Sequence, residues 1–135
     1  MESSKKILVT GVAGFLGSHL AESLSKKHKV VGVDNMIGGY KDNVPKDIEF
    51  YNLDCCDLNK MKNVMRDVDV VYHCAATAHE GLSVFSPVEI TKNNYLASVS
   101  VFTAAVVNKV KRIIYCSSMA RYGDQQTPFT EDMVP

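Results

Sequence analysis

The sequence has no tryptophan, only four prolines and no excess of either charge, because fifteen lysines and arginines offset fifteen aspartates and glutamates. The resulting pI near 6.9 leaves no overall basic field to hold a polyanion, which argues against nucleic acid as a partner. No apolar run approaches the roughly 20 residues that span a bilayer, and the opening Met-Glu-Ser-Ser-Lys-Lys lacks the apolar stretch of a signal peptide. Both absences argue against a membrane and for a cytoplasmic protein. The four cysteines, Cys55, Cys56, Cys74 and Cys116, contain no C-x-x-C, so neither a metal site nor a disulfide framework is expected. Reduced, mostly buried thiols are expected instead. Repeats, low-complexity tracts and Pro/Gly/Ser linkers are missing too. What remains is 135 residues, 46% of them hydrophobic, enough for one domain with a real core.

Short apolar runs alternate with longer amphipathic ones. Residues 6–10, 29–33, 48–53, 68–74 and 112–116 are β-branched and mostly uniformly apolar, as strands buried on both faces of a parallel sheet should be. Between the first two, Leu16, Leu20 and Leu24 repeat at helical spacing over 15–27, with Lys26, Lys27 and Lys29 at the favoured end for cations. A helix over 60–66 follows the capping-type Asp57-Leu-Asn59. A longer one over 88–108 carries an apolar stripe of Tyr95, Val99, Phe102 and Val106. Strand–helix alternation of this kind implies right-handed crossovers and an α/β, doubly wound parallel sheet of the Rossmann type, with five strands in the order 3-2-1-4-5.

Gly11, Gly14 and Gly17 stand at three-residue spacing just after the first strand and at the mouth of the first helix. A turn tolerant of positive φ, a backbone that touches a pyrophosphate, and a helix close to the sheet all call for glycine there. The helix N-terminus then offers N–H groups to phosphates without a basic side chain. Strand two ends in Asp34-Asn35, and Asp34 falls 23 residues after Gly11, near the roughly 20-residue offset of an acid that binds ribose hydroxyls. A carboxylate there repels a 2′-phosphate and no arginine stands beside it, favouring NAD over NADP. At the end of strand three, Asp54 with Cys55 offers a second acid for the adenine amino group.

These residues carry a resemblance to the extended short-chain dehydrogenase/reductase superfamily, specifically the NAD-dependent nucleotide-sugar epimerase/dehydratase family typified by UDP-glucose 4-epimerase. Its markers run in order: Gly11-x-x-Gly14-x-x-Gly17; Val33-Asp-Asn-Met36 with Gly38-Gly39; Asn52-Leu-Asp54; Val71-Tyr-His-Cys-Ala-Ala76; Asn93-Asn94-Tyr-Leu-Ala97-Ser98; and Ile114 through Asp124. The resemblance implies that Gly11, Val12, Gly14, Phe15, Leu16 and Gly17 line the pyrophosphate. It gives Asp34, Asn35, Met36, Ile37, Gly38 and Gly39 to the adenosine ribose, and Asp54 and Cys55 to the adenine. Cys74, Ala75, Ala76 and Thr77 would pass under the ribose and nicotinamide. One of Asn93 and Asn94 would face the cofactor: counting back from Ser118 favours the first, and the local Asn-Tyr-x-Ala-Ser pattern favours the second. Ser118 matches the family's catalytic Ser/Thr, whose hydroxyl bonds the sugar oxygen being oxidised. The implied substrate is a nucleotide-sugar, a UDP-sugar first, and a homodimer is compatible with the resemblance.

The family's Tyr-x-x-x-Lys pair is not in this sequence. The residues four places after Tyr40, Tyr51, Tyr72, Tyr95, Tyr115 and Tyr122 are Val44, Cys55, Ala76, Val99, Met119 and Gln126. The expectation is therefore an NAD-binding Rossmann domain over 1–135 that stops before the tyrosine-bearing helix, with the C-terminal substrate domain absent and the enzymatic status of this chain open. Met119-Ala120 after Ser118, where dehydratases carry an acid, disfavours a dehydratase. Alternatives are a dinucleotide-binding module without turnover, or a dehydratase or reductase of the same superfamily. His79 and Glu80, in a stretch expected to loop over the nicotinamide, read as a polar lid; His73 reads as a core residue with both nitrogens satisfied.

Overall fold

In the computed structural model, which describes residues 3–134, five strands run parallel: β1 Lys6–Thr10, β2 Lys29–Asp34, β3 Glu49–Asn52, β4 Val70–His73 and β5 Arg112–Tyr115. Their order is β3-β2-β1-β4-β5, the expected doubly wound arrangement. Pairings such as Leu8 with Val31 and with Val71 fix the register. β4 is shorter than its apolar run. Asp69 stands just before its start, taking the Lys6 N–H on its carboxylate (3.0 Å) and donating its own N–H to the Lys6 carbonyl (2.8 Å).

Helix α1 (Phe15–Ser25) covers one face of the sheet, and α2 (Leu58–Val64) with α5 (Ala97–Val107) covers the other. Asp57 caps α2, its carboxylate accepting the Lys60 N–H at 3.1 Å. The long helix begins as α4 (Pro87–Ile90), passes through a π-helical segment Thr91–Leu96 and continues as α5. Residues 80–85, expected to be loop, form helix α3 (Glu80–Phe85).

Two expected apolar stripes turn inward only in part. In α5 the buried residues are Ala97, Ser100, Val101, Ala104 and Ala105, whereas Tyr95, Val99 and Val106 are exposed and Phe102 is half-buried. In α1 the buried residues are Gly17, Ser18 and Ala21; of the expected stripe Leu16 is exposed, Leu20 is half-buried and Leu24 packs against the core. The reason is shared: a helix lying close on a sheet needs small side chains at the contact, so the large ones turn outward. The thiols differ from expectation as well, since only Cys55 is buried, Cys56 and Cys74 are half-buried, and Cys116 is exposed.

Candidate functional site

The glycine turn is built by contact. Gly11 has φ +69°, and a Cβ on it would lie 2.8 Å from the Ala75 nitrogen, so β1 and the chain after β4 meet there with no room for a side chain. A Cβ on Gly17 would fall 2.1 Å from the Gly11 carbonyl oxygen, so α1 rests directly on the turn. Gly14 is the N-cap of α1, no side chain caps it, and no acid stands in the first turn. The first-turn N–H groups are thus available to an anion.

Asp34 is 7% exposed. Its Oδ2 accepts the Ala13 N–H at 2.9 Å and its Oδ1 the Met36 N–H at 2.8 Å. It therefore ties the end of β2 to the glycine turn, and each oxygen keeps lone-pair capacity for a further donor. The Ala13 carbonyl in turn accepts the Tyr40 N–H (3.1 Å) and the Asn43 amide (3.0 Å), folding residues 35–43 over the turn. Asp54 Oδ1 takes the Cys56 N–H at 2.8 Å, and Oδ2 lies 3.9 Å from Lys92 Nζ. Burial, aided by Asp54, pushes the Cys55 thiol up to about 12, which makes it an inert packing group.

A chain of hydrogen bonds, buried at Thr10–His73 and part-buried elsewhere, crosses the sheet beneath the site. The Ala75 N–H donates to Thr10 Oγ1 (3.2 Å), Thr10 pairs with His73 Nδ1 (2.7 Å), His73 Nε2 pairs with Ser98 Oγ (2.9 Å), and Ser98 donates to the Asn94 carbonyl (2.6 Å). Both imidazole nitrogens are satisfied. The adjacent asparagines divide their work. Asn94 grips the Thr77 backbone at both polar atoms, accepting its N–H at 2.7 Å and donating to its carbonyl at 3.1 Å; Asn93 donates to the Thr77 hydroxyl at 3.2 Å.

Two cavities result, separated by residues 74–79. The first, about 460 Å³, lies at the carboxyl ends of the strands, where the order reverses between β1 and β4 and α/β folds bind ligands. It gathers Gly11 and Gly14, then Asp34, Asn35, Ile37, Gly38 and Gly39, then Asp54 and Cys55, and finally Cys74, Ala75, Ala76, Thr77 and Asn93. The second, about 530 Å³, holds Asn94, Cys116, Ser117, Ser118 and Arg121 on the far side of the same segment. His79 lines both.

Several sequence candidates fall outside the first cavity. Val12 is fully buried, Gly17 is used in packing, Phe15 and Leu16 project from α1 into solvent, and Met36 is not in the lining. Ser118 accepts the Ala120 N–H at 3.1 Å, capping the 3₁₀ turn Met119–Tyr122. The Glu80 side chain lies outside the described residues. Sequence reasoning missed Ser86, Glu89 and Ile90, which line the first cavity. Glu89 and Ile90 stand four and three residues before Asn93, so helical spacing back from that asparagine was the available signal.

The model of the NAD dependent epimerase/dehydratase family matches residues 7–135. The chain belongs to that family. NAD is the family's cofactor, and the uncapped N-terminus of α1 at Gly14, opening on the first cavity opposite Asp34, fits a dinucleotide on this chain's own geometry. Similar curated proteins include UDP-N-acetyl-alpha-D-glucosaminuronate decarboxylase of Bacillus cytotoxicus, 35% identical over 95% of this chain and 41% of that protein. Another is UDP-glucose 4-epimerase of Neisseria meningitidis serogroup C, 35% identical over 97% and 42%. Among solved structures, the Thermus thermophilus UDP-glucose 4-epimerase complex with NAD superposes with a TM-score of 0.88 at 32% identity, over 96% of this chain and 44% of that one. This family member thus spans about two-fifths of the length of the curated relatives it matches. Among the described residues no helix is long and apolar enough to cross a membrane, and no group of three or more His, Cys, Asp or Glu could hold a metal.

Proposed function

We propose that this chain is the NAD-binding part of a nucleotide-sugar epimerase acting on a UDP-sugar. The observation that carries the reading is the first cavity: one space brings together an uncapped helix N-terminus over a glycine turn, a buried acid after β2 and a wall of small residues after β4. In this reading the first-turn N–H groups of α1 hold the pyrophosphate, and Asp34 accepts from the ribose hydroxyls with its remaining lone pairs. Ala75 and Ala76 let the nicotinamide end lie against backbone, and Asn93, rather than Asn94, faces it. Ser118, in the second cavity, offers its hydroxyl hydrogen to the sugar oxygen. NAD, when bound, supplies the hydride acceptor that oxidises the sugar carbon and returns the hydride. In this reading the base that takes the sugar hydroxyl proton comes from outside these 135 residues, in which no tyrosine is followed at four places by lysine. Domain 1–135 therefore works as the cofactor half of a larger site, and turnover on UDP-glucose is expected only together with a base-bearing segment.

Calorimetric titration with NAD and NADP tests the reading. NAD binding with NADP weaker by at least about tenfold, or ~1.4 kcal/mol, is expected. No heat of binding at millimolar NAD overturns it.

A further inference from the structure

Cys74 and Cys116 stand one residue beyond the paired ends of β4 and β5, continuing the His73–Tyr115 register, with their sulfurs 3.7 Å apart. We propose that these two thiols are a redox-active pair that a hydroperoxide closes to a disulfide in the wall between the two cavities. Neighbouring strands run about 4.8 Å apart, inside the backbone separation a disulfide bridges, so the sulfurs need to approach by only about 1.7 Å, within reach of side-chain rotation. Neither residue is inside its strand, and the backbone tie of Cys116, from its N–H to the His73 carbonyl, is long at 3.4 Å. The Cys74 backbone is held by its N–H to the Thr10 carbonyl at 3.3 Å and by its packing on Gly11, so closure rests on rotation of the two side chains and on the looser Cys116 end.

The two members differ in accessibility. Cys116 is exposed and Cys74 half-buried, and burial together with the Cys116 sulfur holds the Cys74 thiol up at about 12. Oxidant therefore meets Cys116 first. Two electrons from the Cys116 sulfur break the peroxide O–O bond, giving Cys116 sulfenic acid and water or an alcohol. The Cys74 sulfur then attacks the Cys116 sulfur; the S–S bond forms as the S–O bond breaks, and the hydroxyl leaves as water with the Cys74 proton. Thiol reductant reverses the bridge. Cys74 lines both cavities and Ser118 follows Cys116 by two residues, so the bridge sits in the wall both ligands would share. The remaining cysteines offer no equivalent: Cys55 and Cys56 are chain neighbours, and the Cys56 thiol donates to the Lys92 carbonyl.

The 135-residue chain treated with hydrogen peroxide is expected to fall from four free thiols to two, with one peptide pair linking Cys74 to Cys116 by mass spectrometry and full recovery in dithiothreitol. C74S and C116S, each nearly isosteric, are each expected to give no intramolecular bridge. Recovery of Cys116 as sulfinic acid with Cys74 still reduced overturns the proposal, as does a bridge to Cys55 or Cys56, or one that persists in either variant. The readout is independent of NAD, so its failure leaves the cofactor reading untouched.

Discussion

Thr10 Oγ1 and His73 Nδ1 lie 2.7 Å apart across β1 and β4, and the hydrogen-bond chain through them has one direction. Because Ser98 gives its only hydroxyl proton to the Asn94 carbonyl, it accepts from His73 Nε2–H, which leaves Nδ1 to take the Thr10 proton. A second ring proton, on Nδ1, would take away the acceptor of the Thr10 proton. Burial holds His73 down at about 4 from its ordinary 6.5, so the unfolded chain takes up a proton in that interval before the folded one does. Stability from this group is complete above pH 6.5 and declines as pH falls toward 4, by roughly 3 kcal/mol in all. Urea unfolding at pH 7.5 and 4.5 measures it, and a flat profile over that range contradicts the assignment.

Glycine substitutions should sort by contact. Gly17→Ala drives a Cβ into the Gly11 carbonyl, and Gly11→Ala combines positive φ with a clash against the chain after β4. Each should cost more than about 2 kcal/mol and abolish NAD binding. Gly38→Ala meets nothing within 4 Å and should change stability by less than about 0.5 kcal/mol. Thermal melts of the three variants compare them directly.

Asp34→Ala strips the acceptor from two backbone N–H groups, at about 1–3 kcal/mol for a buried donor left unpaired. It also removes the repulsion of a 2′-phosphate. A lowered melting temperature and a loss of preference for NAD over NADP should appear together; unchanged selectivity would detach Asp34 from the ribose.

The two asparagines should separate in different assays. Asn94→Ala releases the Thr77 backbone and should lower stability by about 1–3 kcal/mol. Asn93→Ala loses one half-exposed bond to a hydroxyl and should leave the melting temperature nearly unchanged while weakening NAD. Equal effects on both measurements would merge roles that the geometry keeps apart.

Ser100 has a buried hydroxyl with no partner among the described residues. Ser100→Ala should therefore stabilise the chain by up to about 1 kcal/mol, seen as a higher midpoint in urea.

The strand order was legible because the central strands β1, β2 and β4 are buried and read as apolar runs, although the edge strands β3 and β5, expected to be buried on both faces, are largely exposed or half-buried. The glycine turn was legible because its geometry admits almost nothing else. Helix faces were not. Leu16 and Val106 are conspicuous in sequence and exposed in structure, while Ala21 and Ala104, which look like filler, make the contacts. Helix α3 was hidden by its shortness and mixed polarity. The choice between Asn93 and Asn94 was illegible for a different reason, since it depends on a local change of helical pitch that composition does not announce.

That change of pitch, the π-helical segment Thr91–Leu96, amounts to one residue more than a regular helix would hold over the same span. Deleting any one of its six positions would restore the ordinary pitch over the same span and leave α4 facing α5 as it does now. The fold should therefore tolerate the loss of one residue there, and the cost should fall on Asn93 and Asn94, which would no longer both be presented to Thr77.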